Sequence, residues 1–115
     1  MRIRRALAVA GVTAALSTGL AATPATAADA AAVTCSWPKP TNTGYTYHEV
    51  NDEGPIRKGP YGVCDPVGTG WQGGALQLVC YAANDYGNTW SYVRGIGWMF
   101  DDYFDDGGSQ ERCTY

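Results

Sequence analysis

The chain has 115 residues, eight Lys and Arg against eleven Asp and Glu, one His and four Cys. Such a chain is one domain, and its acidity excludes nucleic-acid or anionic-lipid binding through a basic patch. One histidine and no nucleophile-elbow "GxSxG" leave little material for a catalytic triad.

Residues 1–27 read as a secretory signal peptide. "MRIRR" is a short basic start, "ALAVAGVTAALSTGLAA" is an apolar run of small residues, and "ATA" at 25–27 is a small-x-small cleavage site. The run is too Ala-rich and too interrupted for a membrane anchor. Arg4-Arg5 is a bare pair and only a weak twin-arginine signal. Cys35 lies too far from the cleavage site for a lipoprotein. The export reading implies a secreted, extracellular chain of 88 residues. Its five basic residues face eleven acidic ones, a net charge of −6. A domain this small buries limited apolar surface, and an even cysteine count in an exported chain reads as two disulfides.

Segment 28–50 begins as an irregular arm, with Pro38, Pro40 and Gly44 discouraging regular structure. "YTYHEV" (45–50) alternates as a strand does, and "NDEGP" (51–55) is a turn. "IRKGPYG" (56–62) is a short strand running into a loop. "ALQLVCY" (75–81) sets Leu76, Leu78 and Cys80 on one strand face. "NDYGN" (84–88) is a turn, "TWSYVR" (89–94) a strand, "GIG" a turn and "WMF" (98–100) a last strand. "DDYF" closes a single tight helical turn. No segment carries ten residues with a helical apolar stripe, so the fold class is all-β, a barrel or small sandwich of short strands.

These pieces in series resemble a known family. "IRKGPYGVCDPVGTGWQGGALQLVCY", "GNTWSYV" and "GWMFDDYF" are similar to the strands of bacterial Src-homology-3-type (SH3-like) domains, over residues 54–104 and in order. The small secreted actinobacterial members resemble the chain most. Trp71 in "WQGG" and Phe100 depart from the pattern, and the mature residues before 54 match no part of it. The resemblance implies an SH3-like β-barrel of about five short strands over 51–106, stapled by disulfides. An N-terminal arm (28–50) would precede it and a tail (107–115) tied by Cys113 would follow. Of three pairings, Cys64–Cys80 and Cys35–Cys113 are expected: the loop holding Cys64 would cover the strand that ends at Cys80, and the second bridge would tie arm to tail.

Residues 80–104 hold eight aromatics. Alternation on 89–94 puts Trp90 and Tyr92 on one face and Ser91 and Val93 on the other, and Val93 suits a core. The resemblance matches Trp90, Phe100 and Tyr103 to the peptide groove of the family, with Tyr92 at its rim. Trp98 and Phe104 read as core. The competing reading packs Trp90 beneath the N-terminal arm.

His48 reads as a partly exposed structural side chain. Four scattered cysteines with no "CxxC" exclude a zinc cluster. "DDYFDDGGSQE" fails the calcium-loop template, since Phe104 and Cys113 fall where ligands are needed, and reads as a solvated acidic end. Glu49, Asp52 and Glu53 lie in or beside a turn, where water keeps them ordinary acids rather than a glycosidase pair.

The expected function is therefore non-enzymatic: a secreted, monomeric module without a cofactor or metal that recognises a cell-wall (peptidoglycan) peptide or another extracellular peptide. The alternative is a secreted inhibitor or effector that binds an extracellular protein such as a protease. No nucleic-acid partner is expected, and no membrane partner once the signal is removed.

Overall fold

The computed structural model describes residues 33–115; the expected signal peptide lies outside them. Six strands form: β1 (Thr46–Glu49), β2 (Gly54–Arg57), β3 (Pro66–Gly70), β4 (Ala75–Ala83), β5 (Thr89–Val93) and β6 (Gly97–Phe100). One 3-10 turn, Asp101–Tyr103, follows β6 where "DDYF" is expected to close a helical turn. All strand pairs are antiparallel in one sheet, ordered β1-β4-β5-β6-β2-β3.

The described residues are thus all-β with two disulfides. They differ from the barrel expectation in having six strands rather than about five, and in a sheet that is not closed. The sixth strand comes from the arm segment: alternating "TYHE" is taken up by the free edge of β4, with Thr46 opposite Leu78 and Glu49 opposite Ala75.

The turns follow their residues. Between β4 and β5, the Asn84 side-chain oxygen accepts the N–H groups of Tyr86 (3.0 Å) and Asn88 (3.1 Å). Gly87 then takes φ +84°, a conformation side chains resist. Between β5 and β6, Gly95 at φ +74° reverses the chain, and Ile96 N–H donates to Val93 O at 2.9 Å.

Alternation on β5 decides which face is core. Val93 joins Val50, Ile56, Leu78, Met99 and Phe104 in a buried cluster on one face of the sheet. Each such side chain contributes about 1.5–3 kcal/mol of burial free energy. The other face of β5 and β6 is also covered. Trp90 and Trp98 are buried there with Ala82, and Trp37 from the arm and Cys113 from the tail pack against them. Trp98 is buried, as expected of a core residue, at 2 % exposure, and its place is in this second layer. A two-sided strand pair explains why "WSYV" and "GWMF" carry so little polar alternation.

The disulfides are Cys35–Cys64 and Cys80–Cys113, which corrects the expected Cys64–Cys80 and Cys35–Cys113. In the sheet order, β5 and β6 stand between β4, which carries Cys80, and β2, whose following loop carries Cys64. A disulfide spans Cα atoms no more than about 7 Å apart. The loop after β2 instead lies beside the arm: a Cβ on Gly59 would come within 2.8 Å of Cys35 O. The tail runs along β4, where Tyr81 N–H donates to Glu111 O (2.7 Å) and Cys113 N–H to Tyr81 O (2.9 Å). Arm and tail also hold each other, through Thr41 N–H to Thr114 O at 2.8 Å and the Trp37 indole N–H to the Tyr115 hydroxyl at 3.0 Å. Residues 34–115 accordingly form one compact unit, with the arm and the tail inside it.

Candidate functional site

Two surfaces carry chemistry. The first is the aromatic layer on the outer face of β5 and β6. Cross-strand pairing sets Trp90 opposite Phe100 and Tyr92 opposite Trp98, with ring centroids 5.4 and 5.3 Å apart. Phe100 meets Tyr103 edge to face at 6.1 Å. Of the four expected ligand-binding residues, Trp90, Phe100 and Tyr103 therefore touch in series while Tyr92 meets Trp98 beside them, and not all are open. Trp90 is only 5 % exposed, while Tyr92, Phe100 and Tyr103 are half-buried. The competing reading packs Trp90 beneath the N-terminal arm; the ring is buried as that reading requires, and the arm reaches its layer through Trp37, which meets Trp98. The cover of Trp90 lies in the layer that also takes in the disulfide-tied tail at Cys113. Its indole N–H is buried with no hydrogen-bond partner among the described residues. Tyr103 sits at a seam and also packs against the inner core. It fits because residue 54 is Gly: a Cβ there would stand 2.7 Å from the Tyr103 ring.

The second surface is a cleft of about 830 Å³ beside β1. It arises from a gap on the edge of β4. β1 leaves that edge at Thr46, opposite Leu78, and the tail rejoins it only at Tyr81. Between them lies Val79, where the pairing of β4 with β5 also shifts register. Val79 lines the cleft together with arm residues 41–45 and tail residues 109–111.

Thr46 and His48 both line this cleft, two residues apart on β1 and so on one face. Thr46 Oγ1 is 2.7 Å from His48 Nε2, and His48 Nδ1 is 2.8 Å from Asp106 Oδ2. With the proton on Nδ1, the imidazole donates to the carboxylate and accepts the threonine hydroxyl. Hydroxyl, imidazole and carboxylate in series is the order used in acyl transfer. Here the series does a structural job, because it pins β1 to the turn that follows Phe104. His48 is 9 % exposed, more buried than its strand context suggests. The Thr46-x-His48 spacing is a signal sequence reading could have used. Asp106, 58 residues further on, carries no such signal.

The acidic end is not uniformly solvated, which corrects the sequence reading. Asp102 and Asp105 face water, Asp106 meets His48, and Asp101 is buried at 4 % exposure. The Ser91 hydroxyl donates to Asp101 Oδ1 at 2.6 Å and accepts the Ser109 N–H at 2.9 Å. Gly108, at φ +89°, leaves room for this carboxylate, which a Cβ there would strike. Among the described residues, no three His, Cys, Asp or Glu side chains gather closely enough to hold a metal ion.

Burial pushes the Asp101 carboxyl above the ordinary aspartate value, against the hydrogen bonds from Ser91 and Thr89. A folded-state pKa above the unfolded one means that the native state holds the extra proton between the two values. The stability from protonated Asp101 is thus full below the unfolded pKa and declines as pH rises through the folded one. Asp101→Asn keeps an acceptor for Ser91 and removes the titration. Denaturant melts at about pH 4 and about pH 7 are expected to show the variant gaining relative to wild type at the higher pH. An unchanged difference between the two proteins would refute the assignment.

Among the described residues no helix is long and apolar enough to cross a membrane. A scan against protein-family models, a search of curated proteins and a search of solved structures each gave no match to this chain.

Proposed function

We propose that the chain is a secreted, non-enzymatic binding module that recognises an extracellular peptide, with cell-wall peptides as the first class to test. The observation that carries this reading is the aromatic layer: Tyr92 and Phe100 stand half-exposed on the β5–β6 strand pair and Tyr103 on the 3-10 turn that follows it, with Trp90 packed among them. Rings already held in place lose little freedom on binding, and they offer apolar contact that tolerates sequence variation in the ligand. Exposed Asp102 and Asp105 adjoin Tyr103 in sequence and favour a cationic group on that ligand. The resemblance of 54–104 to SH3-like domains supports the same choice, as do two disulfides for an extracellular setting.

Co-sedimentation with purified peptidoglycan tests it. Retention is expected, and Tyr92→Ala should weaken it by about 2 kcal/mol, as for an aromatic hot spot. Retention that survives Tyr92→Ala combined with Phe100→Ala would place the contact elsewhere. Passage of the wild-type protein into the supernatant would exclude the wall as the ligand.

One observation favours the second reading, a protein-binding effector or inhibitor. Val63 is 76 % exposed at the tip of the loop joining β2 and β3. The loop is pinned by Cys35–Cys64, by Arg57 Nη1 donating to Cys64 O at 2.9 Å, and by Tyr61, which is 1 % exposed. Cys64 N–H closes a turn on Tyr61 O at 3.1 Å, so the loop presents Val63 as a knob and not as an extended strand. Val63→Asp should abolish capture of a protein partner and leave wall retention intact.

A further inference from the structure

Two tyrosines also line the cleft beside β1, on the strand face opposite Thr46 and His48. Tyr45 is 41 % and Tyr47 64 % exposed, and their rings meet edge to face at 5.8 Å. The Arg94 guanidinium lies 4.6 Å from the Tyr45 ring centroid and occupies one of its faces. Tyr47 is the more open ring, and its position is fixed by Gln77 Nε2 donating to its hydroxyl at 3.1 Å. An exposed, oriented ring on a strand is a stacking platform.

The polar groups of the cleft divide into those already engaged and those that are not. The Asn42 side chain is engaged at both ends, accepting Thr114 N–H at 2.8 Å and donating to Arg112 O at 3.1 Å. The Thr46 hydroxyl meets His48, which leaves its oxygen lone pairs as acceptors. The Thr43 hydroxyl and the Glu111 carboxylate make no side-chain hydrogen bond among the described residues. The Gln110 amide makes one long contact, at 3.4 Å to Gly108 O. The free set is therefore a carboxylate, a planar amide and hydroxyl oxygens, arranged around apolar Val79 and beside an open tyrosine ring.

We propose that this cleft binds a neutral saccharide. Adjacent ring hydroxyls offer paired donors and acceptors, the pattern that a planar carboxylate and a planar amide each match with two atoms. The apolar C–H face of the same sugar suits an open aromatic ring such as Tyr47. An anionic ligand meets the Glu111 carboxylate, and a purely apolar one leaves that carboxylate and the amide without partners. A lone ammonium group satisfies Glu111 but uses neither the amide nor the ring stack. The volume, about 830 Å³, lies within the range of small-ligand sites. The cleft is built from the arm, β1, the β4 edge and the tail, so it is independent of the peptide reading of the β5–β6 face, and either can fail alone.

The test titrates the 15N-labelled protein with two neutral probes, chitotriose and cellotriose. Amide shifts are expected at Tyr47, Val79 and Gln110 with at least one of them, and the probe that binds reports whether an acetamido group is preferred. Tyr47→Ala and Glu111→Gln should each lower the affinity about tenfold while the remaining amide spectrum stays that of the folded protein. The proposal is overturned by any of four results. These are no shifts at about 10 mM of either probe, affinity unchanged in either variant, shifts confined to Tyr92 and Phe100, or shifts with lysine amide but with neither saccharide.

Discussion

Reduction of both disulfides is expected to leave a chain without a cooperative thermal transition. The bridges close segments of 29 and 33 residues, and loop-closure entropy for such lengths gives about 3–4 kcal/mol each. Together that rivals the whole stability of a small domain, about 5–15 kcal/mol. The structural role of each bridge differs. Cys35–Cys64 holds the arm, and with it Trp37, against the loop after β2. Cys80–Cys113 holds the tail along β4 and against the layer that contains Trp90. Circular dichroism melts with and without reductant read the combined effect, and paired Cys→Ser variants separate the two. A reduced protein melting cooperatively within a few degrees of the oxidised one would mean that the two aromatic and aliphatic layers suffice alone.

Trp90→Ala is expected to destabilise the fold by about 3–5 kcal/mol, the range for emptying a large buried aromatic site. At 5 % exposure, flanked by Phe100 and layered with Trp98 and Ala82, the ring fills space that no neighbour can take over. Trp90→Phe provides the control. It keeps most of the ring and removes an indole N–H that has no partner, and an unsatisfied buried donor costs about 1–3 kcal/mol. The phenylalanine variant should therefore lose much less than the alanine one. Urea melts of the two variants beside Tyr92→Ala decide the matter. A loss below about 1 kcal/mol for Trp90→Ala would put that ring among the exposed anchors.

Much of this arrangement is legible in the residues, and the limits are instructive. Strand alternation with Val93 as marker correctly separates the two faces of β5, and Gly87 and Gly95 mark reversals that need positive φ. Alternation says which residues share a face, however, and nothing about what covers it. That is why Trp90 reads as open although the arm and tail close around its layer. The disulfide pairing fails for a related reason: it depends on strand order across the sheet, and β2 joins β6 through Arg57 and Trp98, a contact 41 residues apart that local pattern does not encode. Asp101 looks like one member of an acidic run until the 3-10 turn directs it inward to Ser91. The cleft depends on a register shift between Leu78 and Tyr81, where a plain reading of "ALQLVCY" sees one continuous strand.

A sheet that ends at β1 and β3 has two rims along which further chains could add, and each rim is a poor template for polymerisation. The β3 rim, "PVGTG", opens on a proline that lacks an N–H and carries two glycines that weaken any added ladder. The β1 rim is four residues long, and beyond it the arm is already tied to the tail through Thr41 and Asn42. Concentrated solutions of the folded protein should therefore resist conversion to fibrils, and that resistance should fall once reduction frees the tail and bares the middle of β4.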